Sequence, residues 1–373
     1  MSTKLRDVRK RYLYSQEELA DRVGVSVITV RRWEAGQRPQ PLHLRKLTEI
    51  LEATPSELGF ESGAAELSRL EIDPEDLPDP DELVAAVSRL KRFYSTTPPD
   101  ELRRRIDVRL RQIRTLLQGE TRPVRRREFF EAAGWLALLR ATVQADASQF
   151  EDAQNSLHVA RDLARRLGHS DLEGWTYETA AWMAATDRRQ RDAYDLADRG
   201  VQLAPLGGYA LVAATLQRGR ISGALGEEQA AIRDLLAGER ALAAVREVGS
   251  PDDHYVLDPA KAAFFASGAL VQLRRPSETI EHAAEVVRAN DDLRTHNYWP
   301  MRVANARLEW AMALTDLRDE DAAFQMATQA LDLQWTRPDT ERRTRMLLAR
   351  MRDPRLRAEL EGRLAEVLAA ATS

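Results

Sequence analysis

Residues 26–34 read SVITVRRWE, with two adjacent arginines following an aliphatic pair. On a helix, Val30 and Trp33 lie three residues apart and share one face. Val27, Ile28, Thr29, Arg31 and Arg32 then fall on faces that a small core does not need. A guanidinium presents a fork of N–H donors suited to a guanine edge or a phosphate, and an aliphatic group suits a thymine methyl. Val27 and Ile28 sit at the N-terminal end of this helix. The chemistry on offer is hydrogen bonding and apolar contact rather than bond making.

Bond-making chemistry finds no support elsewhere in the sequence. There is no cysteine, which excludes disulfides, thiol nucleophiles and Cys-based zinc sites. His43, His158, His169, His254, His282 and His296 fall in no metal-ligand spacing. No Gly-rich phosphate loop, G-x-S-x-G elbow or H-E-x-x-H is present. The reading is of a protein that is not an enzyme, with no catalytic residues, no metal and no cofactor.

The elements that must hold Arg31 and Arg32 are legible around them. Ser15 is an N-cap and Glu18, three residues on, completes a capping box. Leu19, Ala20 and Val23 form the buried stripe of the helix that follows. Gly24 ends it at a turn requiring positive φ, Ser26 caps the next helix, and Gly36 stops that one. Before them, residues 4–12 read as an amphipathic helix with Leu5, Val8 and Tyr12 inward and Lys4, Arg6, Arg9, Lys10 and Arg11 mostly outward. After them, Pro41 opens a fourth helix to about Leu51, and Pro55 opens a short fifth that closes the bundle near Phe60.

Two short helices joined at a glycine turn, with SQEELADRVGVSVITVRRWEAGQRPQP as the sequence, resemble the XRE (phage-repressor-like) helix-turn-helix family. The resemblance covers about residues 1–60 and rests on Ser15-Gln16, Leu19-Ala20, Gly24-Val25-Ser26, Trp33-Glu34-x-Gly36 and Arg38-x-x-Pro41. It implies double-stranded DNA as partner. Gln16 and the residues around Gly36, among them Gln37 and Arg38, would hold phosphates. Val27, Ile28 and Arg32 would reach bases, with Ser26, Thr29 and Arg31 on the same surface. The positions of Val27 and Ile28 are more often polar in the family, so its sequence preference does not carry over.

A chain of 373 residues is too long for that domain alone and suggests two or three. Residues 1–60 hold eleven Lys and Arg against eight Asp and Glu, a local excess of positive charge in a chain whose net charge is −4. Residues 61–80 hold seven acids, one arginine and Pro74, Pro78 and Pro80, and read as an acidic linker. The composition, rich in Ala, Leu, Arg and Glu with almost no strand alternation, predicts an all-α fold. No secretory leader and no apolar run of membrane-spanning length are apparent, so a cytoplasmic location with no membrane partner is expected.

Beyond the linker, connecting helices over 81–128 lead into a repeat. Small residues recur at Ala153, Ala193, Ala231, Thr279 and Ala323, at steps of 40, 38, 48 and 44 residues, each with an apolar residue four positions on. A small residue lets two antiparallel helices approach closely, and hairpins that cannot bury both faces alone must stack. Longer connections such as GSPDDHYVLDP at 249–259 account for the uneven period. Residues 129–335 thus resemble a tetratricopeptide-repeat (TPR) array, an α-solenoid, with residues 336–373 as capping or dimerisation helices. Aligned on the small residues, its concave surface would hold Trp135, Leu138, Trp175, Glu178, Trp182, Arg220, Lys261, Phe264, Arg302, Asn305 and Met312. Asn305 would be the residue to clamp a peptide backbone, since its amide both donates and accepts.

The order of the two domains is similar to that of bacterial peptide-sensing (quorum-sensing) regulators. That resemblance implies a homodimer on a palindromic operator, with a signalling peptide or other small effector held by Trp175, Glu178, Trp182, Arg220, Lys261, Phe264, Arg302 and Asn305. The competing reading is an adaptor whose TPR array binds a partner protein while the small domain tethers it to DNA. A closed apolar pocket would favour a small effector and a broad groove a protein.

Overall fold

The computed structural model describes residues 4–12, 14–34, 39, 41–51, 53, 58, 79–246, 248–290, 299–332 and 338–372. Among them every regular element is a helix, as the composition predicts. The chain divides into two compact units, residues 1–76 and 77–373.

The first unit contains α1 (Lys4–Arg11), α2 (Gln16–Val23), α3 (Val27–Glu34) and α4 (Pro41–Ile50). The expected fifth helix lies outside the described residues, as do Gly36, Gln37, Arg38 and the linker 61–78. Ser15 forms the capping box: its hydroxyl accepts from Glu18 N, and the Glu18 carboxylate accepts from Ser15 N. Gly24 has φ +82°, and its N–H and that of Val25 both return to the Ala20 carbonyl. That left-handed residue turns the chain sharply enough to set α3 across α2. The core is Leu5, Val8, Leu19, Ala20, Val23, Val30, Trp33, Leu47, Leu51 and Leu58. Tyr12 does not join it. It lies one residue past the end of α1 and is exposed, and Tyr14 packs there instead.

The second unit begins with α5 (Pro80–Phe93) and α6 (Pro99–Gly119). Five antiparallel hairpins follow: α7 (Pro123–Asp146) with α8 (Phe150–Leu167), α9 (Ser170–Thr186) with α10 (Gln190–Leu203), and α11 (Tyr209–Ala224) with α12 (Glu228–Ala243). The last two are α13 (Pro259–Leu270) with α14 (Pro276–Asn290) and α15 (Pro300–Asp316) with α16 (Glu320–Leu331). The chain ends with α17 (Pro338–Leu348) and α18 (Pro354–Thr372). Proline opens nine of these eighteen helices, where its missing N–H has no intrahelical acceptor to lose.

Ala153, Ala193, Ala231, Thr279 and Ala323 are each 0 % exposed, at the closest approach of the two helices of their hairpins. The turn inside each hairpin repeats as well. Ser148, Arg188, Gly226, Arg274 and Arg318 all have positive φ, at the same 40-, 38-, 48- and 44-residue steps. Only one of the five is glycine, so this marker of the repeat has no sequence signature. Consecutive hairpins pack through the row of first helices: α9 touches α11, α11 touches α13, α13 touches α15 and α15 touches α17, while at the end of the stack α16 also touches α18. Leu356, Leu360 and Leu364 of α18 are buried in the same cluster as Ala323 and Ala327 of α16, closing that end of the stack.

Candidate functional site

In the first unit a hydrogen-bonded chain links three helices. Arg9 of α1 donates from Nε to Glu34 Oε1 at 2.6 Å and from Nη1 to the Tyr14 carbonyl at 2.6 Å. Gln16 Nε2 donates to the other Glu34 oxygen at 2.6 Å, and Gln16 Oε1 accepts from Arg31 Nε at 3.1 Å. Arg9 and Glu34 are both buried, which corrects the expectation that Arg9 faces outward. Their pairing satisfies two charges inside a small core and fixes the angle of α3.

The exposed surface of α3 is then held by the fold beneath it. Ser26 is exposed and caps the helix, its Oγ accepting from Thr29 N at 3.3 Å. Ile28 is 59 % exposed, an uncompensated aliphatic on a polar surface. Arg31 and Arg32 are exposed, Arg32 with no partner among the described residues, while Thr29 is half-buried. Val27 is half-buried against the core, so less of it is available to a ligand than sequence reasoning expected. Gln16 is half-buried and oriented through Glu34 and Arg31, beside the same surface. The result is a short helix end presenting one aliphatic, two guanidiniums and two hydroxyls, which suits base edges and flanking phosphates.

In the second unit the structure brings several of the expected ligand residues together and spends others on packing. Leu138 and Met312 are 0 % exposed and belong to the core, which corrects their placement on a surface. Asn305 is buried, and both ends of its amide are committed to α17. Nδ2 donates to Asp339 Oδ2 at 3.0 Å, and Oδ1 accepts from Thr340 at 3.3 Å. It therefore does not stand ready to clamp a peptide, contrary to the expectation. Arg302 is likewise engaged, donating to Asn290 Oδ1 at 3.0 Å and lying 3.6 Å from Asp258. Trp175 is buried beneath Tyr255, their ring centres 5.1 Å apart. Trp182 and Phe264 are half-buried, and the Arg343 guanidinium lies over Phe264.

Sequence reasoning missed a dense ionic cluster at the C-terminal end of the stack. Arg343 pairs with Glu309 and, at 3.0 Å, with Asp339; Arg342 pairs with Asp339 at 2.5 Å; and Ser267 donates to Glu309. Burial alone would raise the Asp339 carboxyl, but the Arg343, Arg342 and Arg220 guanidiniums outweigh it and hold the group below the ordinary carboxylate range. Arg220 faces this cluster and makes no hydrogen bond or ion pair among the described residues. Burial, with the nearby Arg343, pushes it down to about 10. Burial lifts Glu178 to about 7 against the pull of Lys261 and Arg220, and burial with Arg302 lowers Lys261 to about 8. Glu178 thus lies in the field of both Lys261 and Arg220.

Two cavities lie elsewhere. One of about 400 Å³ is lined by Arg274, Thr315, Asp316, Arg318, Ala349, Arg350, Met351 and Arg352, and one of about 130 Å³ by Arg140, Gln144, Asp152, Asn155, Ser156 and Val159. Neither includes the expected ligand residues. No group of His, Asp and Glu suited to a metal occurs among the described residues, and no described helix is long and apolar enough to cross a membrane.

Comparison with known proteins agrees with the geometry of the first unit. Residues 5–58 match the family described as Helix-turn-helix. No curated protein matches the chain significantly. The N-terminal unit is a helix-turn-helix DNA-binding domain of the kind carried by transcriptional regulators, and the match covers α1 to α4 and the core residue Leu58.

Proposed function

We propose that this protein is a sequence-specific transcriptional regulator that binds a palindromic operator as a homodimer, with the TPR-like domain sensing a peptide or other small effector. The observation that carries the reading is α3 itself. Ile28, Arg31 and Arg32 stand exposed on a helix whose orientation is fixed by the buried Arg9–Glu34 pair. Structure of that kind is wasted on a solvated surface and suited to a groove in DNA. Gln16, Ser26 and Thr29 flank the face as phosphate ligands, and the resemblance adds Gln37 and Arg38.

Arg32→Ala is expected to weaken binding to the specific site by about 1–3 kcal/mol without loss of fold. Fluorescence anisotropy on a matched operator and a scrambled duplex checks this. Equal losses on both would make Arg32 a phosphate contact instead of a base reader.

For the second domain, the unpaired Arg220 beside Glu178 and Lys261 supports an effector carrying an anionic group. In the adaptor alternative the same domain binds a folded partner protein. Chromatin immunoprecipitation of a tagged copy in native cells separates the two. Sharp peaks over a shared inverted repeat support the regulator, and well-expressed protein with no peaks under any growth condition counts against it.

A further inference from the structure

Residues 248–258 connect α12 to α13 without forming a helix; Val248, Ser250 and Pro251 are exposed, and from Asp253 on the segment turns inward. Tyr255 is 3 % exposed, its ring between those of Trp135 of α7 and Trp175 of α9, with centres 5.4 and 5.1 Å away. Its hydroxyl meets Thr142 Oγ1 at 3.0 Å. Two residues earlier, Asp253 pairs with Lys91 of α5 at 2.8 Å. The segment's backbone is read as well. Lys261 Nζ donates to the His254 carbonyl at 2.5 Å, Trp299 Nε1 donates to the Pro251 carbonyl at 3.3 Å, and His254 N donates to the Lys91 carbonyl at 3.2 Å.

Tyr255 and Leu257 sit in the main hydrophobic core, as the side chains of any buried connector would. Here two lysines and a tryptophan N–H are directed at one carboxylate and two main-chain carbonyls, and an aromatic slot takes one ring. That is how a groove holds an extended peptide: polar groups on the main chain give affinity and side-chain slots give selectivity. The cations are costly to keep where burial disfavours charge, so a purely structural site would do better without them.

We propose that the face formed by Lys91, Trp135, Thr142, Trp175, Lys261 and Trp299 is a peptide-binding groove that the chain fills with its own residues 251–255. Its external ligand is an extended peptide with an acidic residue two positions before an aromatic one, as Asp253 stands to Tyr255. This deepens the effector-sensing reading and rests on it for the link to DNA. A tethered occupant competes at high effective concentration, so the external peptide binds only to the fraction of molecules whose groove is open.

The test uses the full chain and a fluorescein-labelled peptide, GSPDDHYVLD, of the segment's own sequence. In a variant with residues 251–255 replaced by glycine and serine, saturable binding is expected by anisotropy, at least about tenfold tighter than to the wild type. Adding Lys91→Met to that variant should lower the affinity about tenfold. A variant of native helical content that does not bind, or equal affinity in variant and wild type, would overturn the assignment. Should the replacement prevent folding, Asp253→Asn alone frees Lys91 and is expected to tighten peptide binding about threefold; no gain would overturn it equally. Peptide binding that leaves operator affinity unchanged would uphold the groove and sink the effector coupling.

Discussion

Glu34→Ala is expected to leave the N-terminal domain largely unfolded at 37 °C while the repeat domain stays intact. The Glu34 carboxylate takes Arg9 Nε and Gln16 Nε2, each at 2.6 Å, and the side chains of the Arg9–Glu34 pair are only 9 % and 6 % exposed. Alanine leaves a guanidinium buried with the Tyr14 carbonyl as its remaining acceptor. Stranding one partner of a buried pair costs about 3–5 kcal/mol. A single core in a domain this small supplies about 3–5 kcal/mol in all. Calorimetry of the full chain should show the smaller of two transitions vanish or fall below body temperature, with loss of DNA binding. A domain of this size shifts about 4–8 °C per kcal/mol, so a drop of only a degree or two would contradict the account.

Arg343→Met is expected to destabilise the C-terminal end of the stack by about 3–5 kcal/mol, since it strands Glu309 in the interior. Glu309 is 0 % exposed, and Ser267 would be left as its neutral donor. Asp339 would keep Arg342 at 2.5 Å. The effect should depend on pH with a definite sign. The Asp339 carboxyl is held low in the folded chain, so the unfolded chain takes up its proton first as pH falls. Its contribution is complete above the unfolded value, about 4, and is lost as pH drops below that. The wild type should therefore lose stability steeply on acidification below about pH 4, and Arg343→Met less steeply. Chemical denaturation of both proteins at pH 7 and pH 3.5 checks this. Parallel losses would mean that Arg343 does not hold Asp339 ionised.

What was readable in the sequence follows the strength of local signals. The helix-turn-helix was legible because Ser15, Glu18, Gly24 and Ser26 are caps and turn residues whose roles are local. The stack was legible because Ala153, Ala193, Ala231, Thr279 and Ala323 mark places where only a small side chain fits. Arg9 was misplaced because its partner stands 25 residues away, and nothing local shows that an arginine stem lies across a core. Leu138 and Met312 were misplaced for another reason. Helices such as α7 and α15 bury residues on nearly all sides, being covered by several neighbours, so periodicity does not say which face is open. The segment 249–259 read as a spacer because its acids, prolines and glycine look like a solvated turn. Only its placement reveals what Asp253 and Tyr255 touch.

The central claim is that α3 reads a DNA sequence. Selection of duplexes from a random library by the purified full-length protein, followed by sequencing, tests it most directly. The account predicts enrichment of an inverted repeat with half-sites about 10 base pairs apart, centre to centre, and loss of one preferred base in each half with Arg32→Ala. A folded protein that enriches no motif through successive rounds would contradict it.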